Sequence, residues 1–341
     1  MRAVTFTAHG GTDVIEYGDH PEPEVGRGEV RFEVEAGALN HLDVWVRRGL
    51  PGLDLEFPHV PGSDGAGVVR EVGPGVERFS PGDRVALSAG VGDLQLDDPT
   101  LDPGYHLIGE HTTGVHAEYA VVPETNLLSV PEGVDWEVAG SSCLVFQTAW
   151  RMLIERATLR PGESVLVLGA SGGVGHAALQ IADHAGAEVY ATASSEEKLA
   201  YAEDHGADHV HDYEAENFAD WVRAETGGRG VDVVVEHVGE PTWRDSIRSL
   251  APGGRLVTCG GTAGGSPETD IPRIFWNQLE IIGSTMATPQ QVETVMELVW
   301  DGTFEPAIRA TLPMSETARG HELLENREGF GKVVLRPDAK H

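Results

Sequence analysis

Apolar positions change rhythm along this 341-residue chain. Before about residue 131 they fall in short runs of period two. Val30, Phe32 and Val34 alternate with polar neighbours, and residues 67–72 do so in part. Pro58, Pro61, Gly62, Gly73-Pro74-Gly75 and Pro81-Gly82-Asp83 punctuate the runs at turn spacing. The pattern predicts short strands in an irregular β-rich barrel, with residues 92–104, rich in aspartate, as an exposed loop. Beyond residue 131 helical spacing governs 138–154, and residues 164–168 form a continuous apolar run of buried-strand length. A helix is predicted at 174–184. Strand then helix recurs at 188–193 and 196–205, and at 231–235 and 243–250, with a further strand at 255–258. Strands alternating with helices in this way predict a parallel, doubly wound sheet. A helix from 292, a linker and a strand at 332–335 close the chain.

Charge narrows the function classes. The chain has 55 Asp and Glu against 24 Lys and Arg, a net charge of −31. That field repels phosphate backbones and anionic lipid surfaces, so a nucleic-acid or membrane-surface role is excluded. No apolar run approaches the roughly 18 residues of a membrane span, and residues 1–8 carry no secretory core; a cytoplasmic location is expected. Cys143 and Cys259 cannot build a disulfide framework. Lysine occurs only at 198, 332 and 340. An acidic, lysine-poor surface is expected of a protein working in molar salt, where screening over roughly 3 Å relieves self-repulsion, so a halophilic source is expected. Where lysine is avoided, Lys198 and Lys332 become candidates for function.

The segment 166–175, Leu-Val-Leu-Gly-Ala-Ser-Gly-Gly-Val-Gly, lies between a predicted buried strand and a helix. A pyrophosphate needs close backbone approach and free N–H groups at a helix N-terminus. Ser171, Gly172, Gly173, Val174 and Gly175 are therefore assigned to a dinucleotide, although Ala170 breaks the literal G-x-G-x-x-G pattern. The second strand ends in Ser194 and Ser195 with no acid to bind an adenosine ribose. A hydroxyl-lined pocket tolerates a 2′-phosphate, which Lys198 could neutralise and Tyr213 could close. NADPH is expected over NADH.

At this point the chain resembles the medium-chain dehydrogenase/reductase superfamily, and within it the quinone oxidoreductase branch and its zinc-type alcohol dehydrogenase-like relatives. The matching segments are 1–4, 61–69, 73–76, 81–85, 117–119, 148–150, 170–175 and 329–334, which span nearly the whole length. The resemblance implies an α/β protein: a Rossmann doubly wound parallel sheet at 132–275 and a β-rich GroES-like barrel, the catalytic domain, from 1–131 and 276–341. It further implies that Thr148, Gly260 and Gly261 contact the nicotinamide end and that Lys332 approaches the nicotinamide ribose.

Zinc-dependent relatives place metal ligands where this chain has Asn40, Ser63-Asp64 and about Leu144, with Cys143 one residue off. An amide, a hydroxyl and a leucine do not make a catalytic zinc set, so no metal is expected. By the same resemblance Asn40, in Asn40-His41-Leu42-Asp43, orients the substrate carbonyl or the cofactor. Asp43 fixes local structure against Arg47 or Arg48, His41 is a candidate proton source, and Gln147 is a further polar candidate. Trp45, Leu50, Phe146, Phe275 and Trp276 are candidates for an apolar acceptor site. The implied activity is NADPH-dependent reduction of quinones or α,β-unsaturated carbonyl compounds without zinc. An alcohol or polyol dehydrogenase using NAD(P), with or without zinc, and a non-catalytic NADPH-binding homologue are the alternatives. A homodimer or homotetramer is expected, paired through an edge strand at 279–283.

Overall fold

The computed structural model describes residues 1–327 and 329–339. It divides into two compact units, Met1–Leu144 with Thr288–His341, and Val145–Ala287. The fold is α/β, with a β-rich unit and a parallel-sheet unit, as the sequence predicts. The division falls about a dozen residues later than expected at both places. The strand Glu280–Gly283 is bonded to Leu250–Thr258, so the segment around 276–287 goes with the parallel sheet.

In the β-rich unit the strand Glu29–Leu39 is the organiser. It pairs antiparallel with Gly65–Val72, Tyr119–Pro123 and Lys332–Arg336. Val30, Phe32, Val34 and Ala36 point inward and are buried, which is the period-two signal realised. A Cβ on Gly67 would lie 1.9 Å from the Glu33 carbonyl, so only glycine fits this strand crossing. The register sets Val333 opposite Leu39. It therefore brings Lys332 beside Asn40, although 292 residues separate them.

The other unit is a six-stranded parallel sheet. Across it run His209–Asp212, Glu188–Ala193, Ser164–Val167, Val231–Glu236, Leu250–Thr258 and Glu280–Gly283. The strand order by chain position is 3-2-1-4-5-6, and it reverses between Ser164–Val167 and Val231–Glu236. Ligands of such sheets bind at the carboxyl ends of the strands flanking that reversal. Leu166, Leu168, Val234, Ile247 and Leu256 fill the core against the helices.

Three local features differ from expectation. The helix predicted at 138–154 is α-helical only over Trp136–Trp150 and continues as a π-helical turn, Arg151–Arg156. The strand His209–Asp212 and the helix Phe218–Glu225 escape the periodicity because a half-buried, His- and Asp-bearing edge carries little apolar signal. Phe275 and Trp276, proposed acceptor-site residues, are 63% and 80% exposed on the short helix Ile271–Asn277.

Candidate active site

In the β-rich unit three chemically expensive side chains are buried together. Asp64 is wholly buried, Asn40 and Lys332 nearly so. The Lys332 Nζ donates to Asp64 Oδ2 at 3.0 Å and to Asn40 Oδ1. The Asn40 amide donates to the same Asp64 oxygen at 3.0 Å, and the Leu144 backbone N–H donates to Asp64 Oδ1 at 2.9 Å. One carboxylate thus collects an ammonium, an amide and a main-chain donor. Asn40 is held from a second side, because its backbone N–H donates to Asp43 Oδ2 at 2.7 Å at the start of the helix His41–Arg48. Asp43 does fix local structure, but not through Arg47 or Arg48; both arginines instead bond Glu325 at 2.5 Å. Burial pushes the Asp43 carboxyl up to about 7, against the pull of its Asn40 hydrogen bond and of Lys332. His41 is exposed on the first helical turn.

These residues do not suit the zinc that the resemblance brings to mind. Ser63 turns its hydroxyl away to the Ile108 carbonyl at 2.7 Å, and the leucine at 144 offers only its backbone. The Asp64 carboxylate already faces an ammonium. Burial and the Asp64 charge push the Cys143 thiol well above its ordinary value, away from the thiolate a metal requires. Among the described residues no three His, Cys, Asp or Glu side chains are grouped to hold a metal ion.

The parallel-sheet unit supplies a nucleotide cradle. Residue 169 has φ +57°, and a Cβ on Gly175 would lie 2.3 Å from the Gly169 carbonyl, so the turn can pack only with glycine there. Gly172 precedes the helix Gly173–His184, and nothing but the Gly169 carbonyl, at 3.4 Å, would approach a Cβ on it. The space a pyrophosphate needs above that N-terminus is therefore open. Sequence reasoning missed the residue that ties this loop to the neighbouring strand. His237 donates through Nε2 to the Leu168 carbonyl at 2.9 Å, bridging the two strands at the reversal point. The Thr262 N–H donates back to the His237 carbonyl at 3.1 Å, which anchors the turn containing Gly260 and Gly261. The wholly buried Glu236 accepts from the N–H groups of Val238 and Gly239 and from Thr242 and Ser246. It shapes the turn that carries His237.

At the adjacent strand ends, Ala193 pairs with Asp212, so Ser194 and Tyr213 are neighbours and the Tyr213 N–H donates to the Ala193 carbonyl. Ser195 caps the helix Glu196–Asp204 by accepting from the Lys198 N–H. The phosphate-side candidates therefore lie together, with Tyr213 40% exposed. Gln147 is buried, and both polar atoms of its side chain have no hydrogen-bond partner among the described residues; Thr148 beside it is also buried. Lys332, assigned by resemblance to the nicotinamide ribose, makes its contacts in the β-rich unit.

Residues 173–301 match the Zinc-binding dehydrogenase family and residues 26–132 the Alcohol dehydrogenase GroES-like domain. The chain belongs to the medium-chain dehydrogenase/reductase superfamily, with quinone oxidoreductase-like and zinc-type alcohol dehydrogenase-like relatives. It is an NAD(P)H-dependent oxidoreductase. It is 34% identical to a quinone oxidoreductase of Pseudomonas aeruginosa, over 98% of this chain and 99% of that one. A crystal structure of an NAD-dependent alcohol dehydrogenase superposes with a TM-score of 0.94 at 43% identity, covering 99% of this chain and 100% of the other. A crotonyl-CoA carboxylase/reductase in complex with NADP superposes with a TM-score of 0.92 at 27% identity, covering 100% and 95%.

Proposed function

We propose that the protein is a zinc-independent, NADPH-dependent reductase of quinones or α,β-unsaturated carbonyl compounds. The observation that carries this reading is the Asp64 carboxylate, closed off by Lys332, Asn40 and the Leu144 N–H where a zinc-dependent relative would hold its metal. Without a Lewis acid, an alcohol is hard to activate. Conjugation lets a carbonyl take up hydride with help from hydrogen-bond donors alone. The bound nicotinamide supplies the hydride. The glycine loop from Ser171 to Gly175 holds the pyrophosphate, Thr148, Gly260 and Gly261 face the nicotinamide end, and Ser194, Lys198 and Tyr213 receive the 2′-phosphate. Asn40, fixed on both sides, orients the substrate carbonyl.

The test is elemental analysis of the purified protein together with NADPH oxidation on a quinone and an enone. Turnover with well under one equivalent of zinc per chain supports the reading. A full equivalent of zinc, with oxidation of simple alcohols by NAD+, establishes the second reading, an alcohol dehydrogenase. The 43%-identical NAD-dependent structure favours that second reading.

The active form is at least a dimer. Among the described residues the edge strand Glu280–Gly283 is paired on one side only, and Ile271, Phe275 and Trp276 stand exposed on the helix before it. No helix among the described residues is long and apolar enough to cross a membrane, and the cytoplasm is the proposed location. The net charge of −31 supports a halophilic source, for which the melting temperature rises between dilute buffer and molar KCl.

A further inference from the structure

In the parallel-sheet unit the helix Glu196–Asp204 carries Lys198, yet little of it is packed: of its nine residues only Tyr201 and Ala202 are buried. What holds Tyr201 therefore decides where Lys198, three residues earlier, stands. The Tyr201 hydroxyl meets Nδ1 of His176 at 2.7 Å, and the Gln180 amide nitrogen meets Nε2 of the same ring at 2.7 Å. His176 is buried in the first turn of the helix Gly173–His184, where its N–H donates to the Gly172 carbonyl at 2.8 Å. One imidazole thus joins the helix that starts at the glycine loop to the helix that carries the lysine. Two further rings brace it. His205 stacks on Tyr201 with centroids 4.1 Å apart, and its Nδ1 donates to the Tyr201 carbonyl at 2.7 Å. His205 also lies edge-on to His176 at 5.0 Å, as Phe146 does at 6.4 Å.

The proton positions follow from the donors. An amide nitrogen only donates, so Nε2 of His176 accepts and the proton of the neutral ring sits on Nδ1, directed at the Tyr201 oxygen. Burial pushes the Tyr201 phenol up, so it stays a neutral hydroxyl. Both nitrogens of a buried ring are spent on partners from two helices, which fixes the ring and the helices together. Lysine is a point charge on a flexible four-carbon stem, so it discriminates for a phosphate only when its backbone is held.

We propose that Tyr201 and His176 set the cofactor preference, as positioning residues that hold Lys198 where it meets the 2′-phosphate. This rests on the NADPH reading. The loop from Ser171 to Gly175 serves either cofactor. A displaced helix Glu196–Asp204 therefore penalises only the ligand that carries the extra phosphate.

Adenosine 2′,5′-bisphosphate and adenosine 5′-monophosphate, which differ only in that phosphate, test this by calorimetry on the whole protein. Tyr201→Phe keeps the ring and its stack on His205 and removes only the hydroxyl. It is expected to weaken the bisphosphate by about three- to tenfold, the loss of one buried hydrogen bond, and to leave the monophosphate within about twofold. At position 176 an asparagine amide stands near the place of Nδ1, and a glutamine amide near that of Nε2. His176→Asn is therefore expected to keep the parent's preference, and His176→Gln to lose it as Tyr201→Phe does. Equal losses for both ligands mean a structural role and overturn the proposal, as does a Tyr201→Phe protein that binds both as the parent does. If a His176 variant does not fold, the isosteric Tyr201→Phe decides. Lys198→Ala separates this proposal from the reading beneath it. A selective loss there with none in Tyr201→Phe leaves the NADPH reading standing and sinks the role of the pair. A parent that binds the two ligands alike defeats the NADPH reading, and the proposal with it.

Discussion

The ammonium of Lys332 lies 3.0 Å from Asp64 Oδ2, across 268 residues of sequence, with side-chain exposures of 4% and 1%. A buried pair of this kind contributes little net stability over an apolar replacement, yet removing one member strands the other. Lys332→Met is therefore expected to cost about 3–5 kcal/mol in urea unfolding, and Lys332→Met/Asp64→Leu to recover most of it. A single variant losing less than about 1 kcal/mol would mean that Asp64 is satisfied by Asn40 and Leu144 alone.

Two buried histidines set the acid limit of stability. Burial holds His116 down at about 4 and His321 at about 3, against an ordinary value of 6.5. Their neutral rings contribute stability fully above pH 6.5, and it is lost as pH falls toward 4 and then 3, because only the unfolded chain gains protons there. Between pH 6.5 and 4 the His321 share is on the order of 3 kcal/mol. His321→Phe should flatten the acid side of the stability curve measured by denaturant titration; an unchanged slope would show that the ring is already hydrated.

Asp43 works in the opposite direction. With its folded value near 7 and its ordinary value at 3.8, its contribution is complete below 3.8 and is lost as pH rises through 7. Asp43→Asn keeps an acceptor for the Asn40 N–H and should gain stability over the parent at pH 8, by on the order of 4 kcal/mol, but not at pH 4. Equal melting temperatures for the two proteins at pH 8 would contradict this.

Lys198 follows the Ser195 cap and stands at the nucleotide end assigned to the 2′-phosphate. Lys198→Ala should weaken NADPH binding by roughly tenfold and leave NADH binding nearly unchanged, since only one cofactor carries that charge. An equal loss for both cofactors in a fluorescence titration would remove the assignment.

Trp276 is 80% exposed and Phe275 63%, on the helix before an edge strand that is paired on one side only among the described residues. Trp276→Asp with Ile281→Asp should shift light scattering in high salt toward the chain mass of 36.5 kDa. A parent that already scatters as a single chain would refute the dimer.

The two architectures were legible because both rest on local rhythm: Val30, Phe32 and Val34 for one, residues 164–175 for the other. The Asn40–Asp64–Lys332 cluster was only half legible. Its members lie 24 and 268 residues apart, and strand register rather than any motif brings them together. Lysine scarcity flagged Lys332 but could not name its partner. His116 and His321 gave no signal, since a histidine in a half-apolar segment looks alike whether it faces solvent or core. Glu236 and His237 were hidden for a related reason: one ends and the other follows a strand whose apolar run, Val233 to Val235, stops just before them.

The β-rich unit is built from segments far apart in the chain, with Val333–Leu335 paired to Gly37–Leu39 at the end of the organising strand. Synthesis from the N-terminus delivers the partner strand only after the whole parallel sheet has emerged, which at about 5–20 residues per second keeps the first strands waiting for many seconds. During that wait Gly37–Leu39, the end of the strand that Tyr119–Pro123 does not reach, lacks the partner that Val333–Leu335 later supplies, and the Asp64 carboxylate has no cation to meet. A short open strand end is a place where another chain can pair, and a chaperone that covers it until the last strand arrives would raise the yield of native protein.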